Sequence, residues 1–350
     1  MGKLQELLKF HTGALIFSAI VLVLGGIYGY HLGGTVSAVA NVMFIMLVLA
    51  VLEISLSFDN AVVNAKVLAG MDEIWRKRFL TWGMLFAVGF MRLVFPILIV
   101  SIAGGVGVFE AVSIAINDQD KYSALLQSSH ILIAGFGGAF LFLVGLDFFF
   151  DAEKDVHWVK IIEEKLSKLG ERKSISIVIT LLIMFYFTTI LPVESANTFF
   201  MAGIFGIITH EIVKLIGDLM ESGDSDEVNL TGTVAKSGLA GFLYLEVLDA
   251  SFSFDSVLGA LVISKDIFII MGGLAIGAYF VRSITLQLLK SGTLAEYKYL
   301  EHGAFAAILC LATIMFTSTL IHIPELVTGV LSIGFILLGY YSSVKENRES

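Results

Sequence analysis

The sequence predicts an all-α polytopic membrane protein, with about ten transmembrane helices in two inverted five-helix repeats. Three observations predict it. Of 350 residues, 57% are hydrophobic and only 15% charged, whereas soluble domains are roughly one-quarter charged. Several apolar runs reach the roughly 20 residues that a bilayer core asks of a helix. An acidic phrase also occurs twice, in spans an odd number of crossings apart.

Hydropathy and flanking charge place the spans at about 12–30, 39–69, 79–102, 129–150, 174–191, 197–219, 236–263, 267–287, 302–321 and 325–343. The first run follows Lys3 and Lys9, and "SAVAN" (Ser37–Asn41) resembles a cleavage site. Because the chain runs from Met1, the expectation is an uncleaved first span. Residues 1–191 form the first repeat, with a connector at 152–173, and residues 192–350 the second. The connector is mixed in charge and amphipathic, so it is expected to be solvated or interfacial. The acidic run Glu221–Glu227 is read as a solvated loop.

Lysine and arginine set the expected orientation. With both termini cytoplasmic, that side receives Lys3, Lys9, Arg76–Arg78, six basic residues between Lys154 and Lys173, Lys290, Lys298, Lys345 and Arg348. The other side receives Lys121 and Lys265. In a bacterium this means the inner membrane. The expected surroundings are lipid bilayer and metal ions, without nucleic acid, and a homo-oligomer stays open. The single Cys310 excludes a disulfide framework or a thiolate metal cluster. His210–Lys214 reads HEIVK rather than HExxH, which argues against a zinc protease.

The repeated phrase is "EISLSFD" from Glu53 and "DASFSFD" from Asp249, with Ser55/Ser251, Ser57/Ser253, Phe58/Phe254 and Asp59/Asp255 identical. Downstream, Gly83–Arg92 aligns with Gly273–Arg282. Spans two to four therefore correspond to spans seven to nine. The odd offset inverts the second unit, as in secondary transporters whose substrate sits at the repeat interface.

The candidate site residues are Glu53, Asp59, Asn60, Glu246, Asp249, Asp255 and Ser256, with Arg92 and Arg282 for charge balance. His302 is read either as a proton relay or as an interfacial helix cap. A central ionised carboxylate costs about 2.5–3.5 kcal/mol to insert, so intramembrane acids point to function. Pairing with the arginines is the structural alternative. Five acids against two arginines leave a formal charge of −3, which one divalent cation and one proton would balance. Carboxylate, amide and hydroxyl oxygens suit Mg, Ca or Mn rather than copper or zinc. Residues six apart on a regular helix diverge by about 120° and about 9 Å. Span two, at about 46 Å, also exceeds the bilayer core. Both difficulties predict a break or tilt near "LSFDN".

At these residues the chain resembles the TerC family of integral membrane proteins, named for tellurium resistance. Within that family it looks most like a longer branch catalogued as a domain of unknown function. The matching signature is Glu53 to Asp59-Asn60 in one half, and Glu246, Asp249 and Asp255-Ser256 in the other. The resemblance spans about 40–340. It implies a transporter-like helical fold and divalent-cation export, with manganese the best-supported cargo. The connector and the "MDEIWRKR" segment depart from shorter members.

The expected function is secondary export of a divalent cation, Mn2+ first and Ca2+ next, by proton antiport. The cation is cargo, no organic cofactor is implied, and the protein is not read as an enzyme. Two other classes compete. An intramembrane aspartyl protease would need two paired aspartates, and its Gly-x-Gly-Asp signature is missing. A metal-loading membrane subunit would bind cations without moving them.

Overall fold

The structure, a computed structural model, describes residues 3–83, 86–152, 154–170, 174–221 and 238–349. Side chains of a few further residues, Phe254 and Asp255 among them, lie outside the description.

In chain order the helices are α1 (Lys3–Gly33), α2 (Val36–Leu56), α3 (Phe58–Gly70), α4 (Glu73–Arg78), two π-helical stretches (Phe79–Gly83 and Phe86–Val94), α5 (Phe95–Gly104), α6 (Val108–Asn117), α7 (Gln119–Ser128), α8 (His130–Phe149), α9 (Lys160–Gly170), α10 (Ile175–Ile190), α11 (Val193–Glu221), α12 (Leu239–Ile263), α13 (Ile267–Ser291), α14 (Thr293–Glu296), α15 (Leu300–Ser318) and α16 (Glu325–Glu349). No strand occurs among the described residues. The chain is an all-α polytopic membrane protein.

Among the described residues, seven helices are long and apolar enough to cross a bilayer, and eight if α9 and α10 count as one bent span. The sequence predicts ten. Helix α10 has only 16 residues, and α12 carries Glu246, Asp249 and Asp255, which lower its apolarity. The expected third span, 79–102, is not one regular helix but two π-helical stretches followed by α5. Pro96 sits in the first turn of α5, directly after the second π-helical stretch.

Helix ends follow local chemistry. The side chains of Thr35, Asp72, Asp118 and Asp266 accept hydrogen bonds from backbone N–H groups at the starts of α2, α4, α7 and α13. Each satisfies donors that a helix start would otherwise leave open.

Most of α8 is enclosed, between α11 and α15. A Cβ at Gly135 would strike the Phe199 carbonyl, and one at Gly206 the Phe136 carbonyl. Such small-residue contacts let membrane helices approach closely when no hydrophobic force separates helix from lipid. Helix α13 lies against α2 by the same device. A Cβ at Gly277 would sit 2.6 Å from Glu53 Cγ and 2.8 Å from the Ala50 carbonyl oxygen.

The connector is anchored on one side, through Glu163 and Ser167, while Ile161, Ile162 and Leu169 of α9 stay exposed. Glu163 of α9 is 3% exposed. Its carboxylate accepts from Lys154 Nζ at 2.9 Å and from the N–H groups of Trp158 and Val159 at 3.1 and 3.0 Å. His302 Nε2 lies 3.3 Å from the same carboxylate. Trp158 Nε1 donates to Ser342 of α16, and Ser167 to the Asp151 carbonyl. Charge patterning cannot distinguish a solvated glutamate from one enclosed by donors that lie far away in sequence. The run 222–227 lies outside the described residues.

Candidate functional site

The first acidic phrase sits at a helix break. Helix α2 ends at Leu56 and α3 begins at Phe58, with Ser57 between them at φ −110° and ψ 17°. The interruption falls inside "LSFDN", where the sequence predicts it. The second phrase behaves differently: α12 runs unbroken from Leu239 to Ile263. The two phrases therefore match in sequence but not in local backbone.

Glu53 and Asp59 are fully buried, and Glu246 and Asp249 are each 6% exposed. Arg92, from the second π-helical stretch, forms a buried ion pair with Glu53 Oε1. The Ser57 hydroxyl donates to the same oxygen at 3.2 Å. Glu53 is thus held as half of a structural pair, the alternative weighed from the sequence. Asp59 is held differently: its Oδ1 accepts from the Asn60 N–H at 3.0 Å, while Oδ2 has no hydrogen-bond partner.

Asn64, which the sequence reading does not single out, joins the two phrases. Its Nδ2 donates to Asp249 Oδ1 at 2.9 Å, across 185 residues of chain. A signal was present, since Asn64 follows Asn60 by one helical turn, on the same face of α3. Helix α3 therefore aims two amides along one face.

A small cavity of about 30 Å³ lies at this junction. Its polar lining is Asn60, Asn64, Arg92, Asp249, Arg282 and Thr285, and its apolar lining includes Phe79 and Leu80. The aligned arginines thus share one cavity. That volume exceeds the roughly 10–15 Å³ needed for one water-sized guest. Arg282 Nη2 donates to the Leu80 carbonyl in the first π-helical stretch. The Asn60 and Asn64 side-chain oxygens have no hydrogen-bond partner, and neither does either oxygen of Glu246. Buried polar atoms left without partners are costly, and each calls for a ligand or a functional reason.

Among the described residues, no three acids, histidines or cysteines come together as a metal-holding group. Ser256 is turned into its own helix, donating to the Ser253 carbonyl at 2.9 Å. Asp255 lies on α12, with its side chain outside the description. His302 is placed apart from the cavity lining, against the connector: Nε2 is 3.0 Å from the Val156 carbonyl, and the ring packs on Phe148 and Tyr299. Its neighbour Glu301 pairs with Lys66 of α3 at 2.9 Å.

A family model described as "Protein of unknown function (DUF475)" matches residues 58–350. No curated protein and no solved structure matches the chain.

Proposed function

The chain belongs to the DUF475 family, and from the site we propose that it is a secondary transporter exporting a divalent cation in exchange for protons. Mn2+ is the first candidate cargo and Ca2+ the second. The observation that carries this reading is one buried cavity between the two acidic phrases, where Asp249 and the unpartnered amide oxygens of Asn60 and Asn64 lie beside Arg92 and Arg282. Hard oxygen donors favour these cations over copper or zinc.

Charge supports the same reading. Glu53, Asp59, Glu246 and Asp249 against Arg92 and Arg282 give four minus two, a formal −2. Asp255 makes it −3, matching one divalent cation plus one proton. With Glu53 neutralised by Arg92, the cargo would meet Asp59, Asp249 and the amide oxygens of Asn60 and Asn64. The break at Ser57 frees Asp59 from the azimuth that an unbroken α2 would impose. Alternating exposure would come from rocking of one repeat against the other. The resemblance to TerC rests on the same acids. The same proposal puts both termini in the cytoplasm of a bacterial inner membrane, a reading supported by the lysine and arginine asymmetry of the sequence and requiring an even number of spans.

Purified protein in vesicles is expected to move Mn2+ down an imposed gradient, and Asp59→Asn with Asp255→Asn to abolish that flux. Wild-type flux in the double variant would sink the site assignment. If wild-type protein moves neither Mn2+ nor Ca2+ yet cleaves a helical membrane substrate, the protease reading replaces this one.

A further inference from the structure

We propose that the groove between α1, α2 and α13 holds one acyl chain of a bilayer phospholipid, packed against the π-helical stretch that carries Arg92. The groove has a volume of about 510 Å³, within the roughly 300–1,000 Å³ typical of small-molecule sites. Its walls are Val21 and Leu24 of α1, Met46 of α2, and Phe268, Met271 and Ala275 of α13. Gly89 also lines it, and a Cβ built there would meet nothing within 4 Å. Tyr28 is the one polar side chain in the lining, and its hydroxyl is already committed to Asp266 at 2.8 Å.

Two features select the occupant. The lining is almost wholly apolar, with Tyr28 its one polar side chain, so it favours an apolar guest over water. The groove opens past Leu24 and Phe268, 59% and 44% exposed, onto the outer face of α1. That face, with Ile20, Val23 and Ile27 all exposed, belongs to membrane-crossing helices, so the groove is continuous with the surface that meets hydrocarbon. A lipid tail is the apolar occupant that this surface supplies directly.

The position gives the occupant a consequence. Gly89 lies three residues before Arg92, within the same π-helical stretch. A chain seated in the groove supports the backbone that presents Arg92 to Glu53. The absent side chain at residue 89 is what leaves room for it.

The test uses full-length protein in phosphatidylethanolamine and phosphatidylglycerol vesicles doped with phospholipid carrying a diazirine at one tail end. After illumination, adducts are mapped by mass spectrometry. Adducts on Met46 and Met271 are expected in the wild type, and their loss in Gly89→Leu, which puts a branched side chain where the tail would pack. Gly89→Ala should retain them. Labelling confined to outer-face residues such as Ile20 and Val23 overturns the proposal, as does covalent dimer formation through Leu24 or Phe268. The wild-type map decides alone should Gly89→Leu fail to fold, and neither arm depends on cation flux.

Discussion

Glu53 and Asp59 are equally buried, yet their surroundings give them different roles. Glu53 is neutralised by Arg92 and receives Ser57 as well, whereas Asp59 keeps an oxygen with no hydrogen-bond partner. Removing one half of a buried ion pair strands a charge and costs about 3–5 kcal/mol. Arg92→Gln should therefore lower the unfolding temperature sharply, and adding Glu53→Gln should recover much of the loss. A double-mutant cycle in detergent checks this, and additive losses would contradict the pairing. Asn64→Ala removes a hydrogen bond to a carboxylate, worth about 1.5–3 kcal/mol. Its expected signature is weaker cation binding by direct titration, with the helical content unchanged by circular dichroism.

At the scale of elements, two glycines on neighbouring segments make opposite predictions. Gly277 is where α13 touches α2 at Ala50 and Glu53, so Gly277→Ala should destabilise by overpacking, about 1–3 kcal/mol. Gly89→Ala meets open space and gains helix propensity, up to about 1 kcal/mol relative to glycine. Thermal unfolding of the two variants should therefore move in opposite directions. Equal shifts would mean that α13 and α2 are not in contact through Gly277. The same contact explains why a glycine-rich apolar helix can lie directly over a buried glutamate: the absent side chain leaves space for Glu53's own methylenes.

Across the whole molecule, the anchored connector joins sites far apart in sequence. Lys154 and Glu163 form a buried ion pair with His302 Nε2 3.3 Å from the carboxylate, and Glu301 next to His302 reaches Lys66 on α3, the helix that begins beside Asp59. Burial alone would raise the Glu163 carboxyl, but hydrogen bonds from His302, the Val159 N–H and Lys154 outweigh it and hold the group down at about 2. Burial also lowers the Lys154 ammonium, against the pull of Glu163. A carboxyl whose folded value lies below its unfolded 4.5 stabilises the protein above pH 4.5. That contribution fades as pH falls towards 2. Glu163→Gln should thus destabilise at pH 7, by about 3 kcal/mol at 1.36 kcal/mol per unit. The gap between variant and wild type should close near pH 2. Unfolding temperatures of both proteins across this range provide the check, and a gap independent of pH would refute the linkage.

The helical class, the membrane setting and the break at "LSFDN" were legible because each follows from local composition or from helix geometry acting on neighbouring residues. The acids and arginines of the site were legible for the same reason, since a charge in an apolar span stands out wherever it goes. Pairing was not legible: that Arg92 chooses Glu53, that Asn64 reaches Asp249 and that His302 turns to the connector depend on residues tens to hundreds of positions away. Nor could the repeat in sequence foretell that α2 breaks at Ser57 while α12 stays continuous. Periodicity assigns a residue to a face of its helix, but only packing decides what that face meets, and so which buried charges are already satisfied.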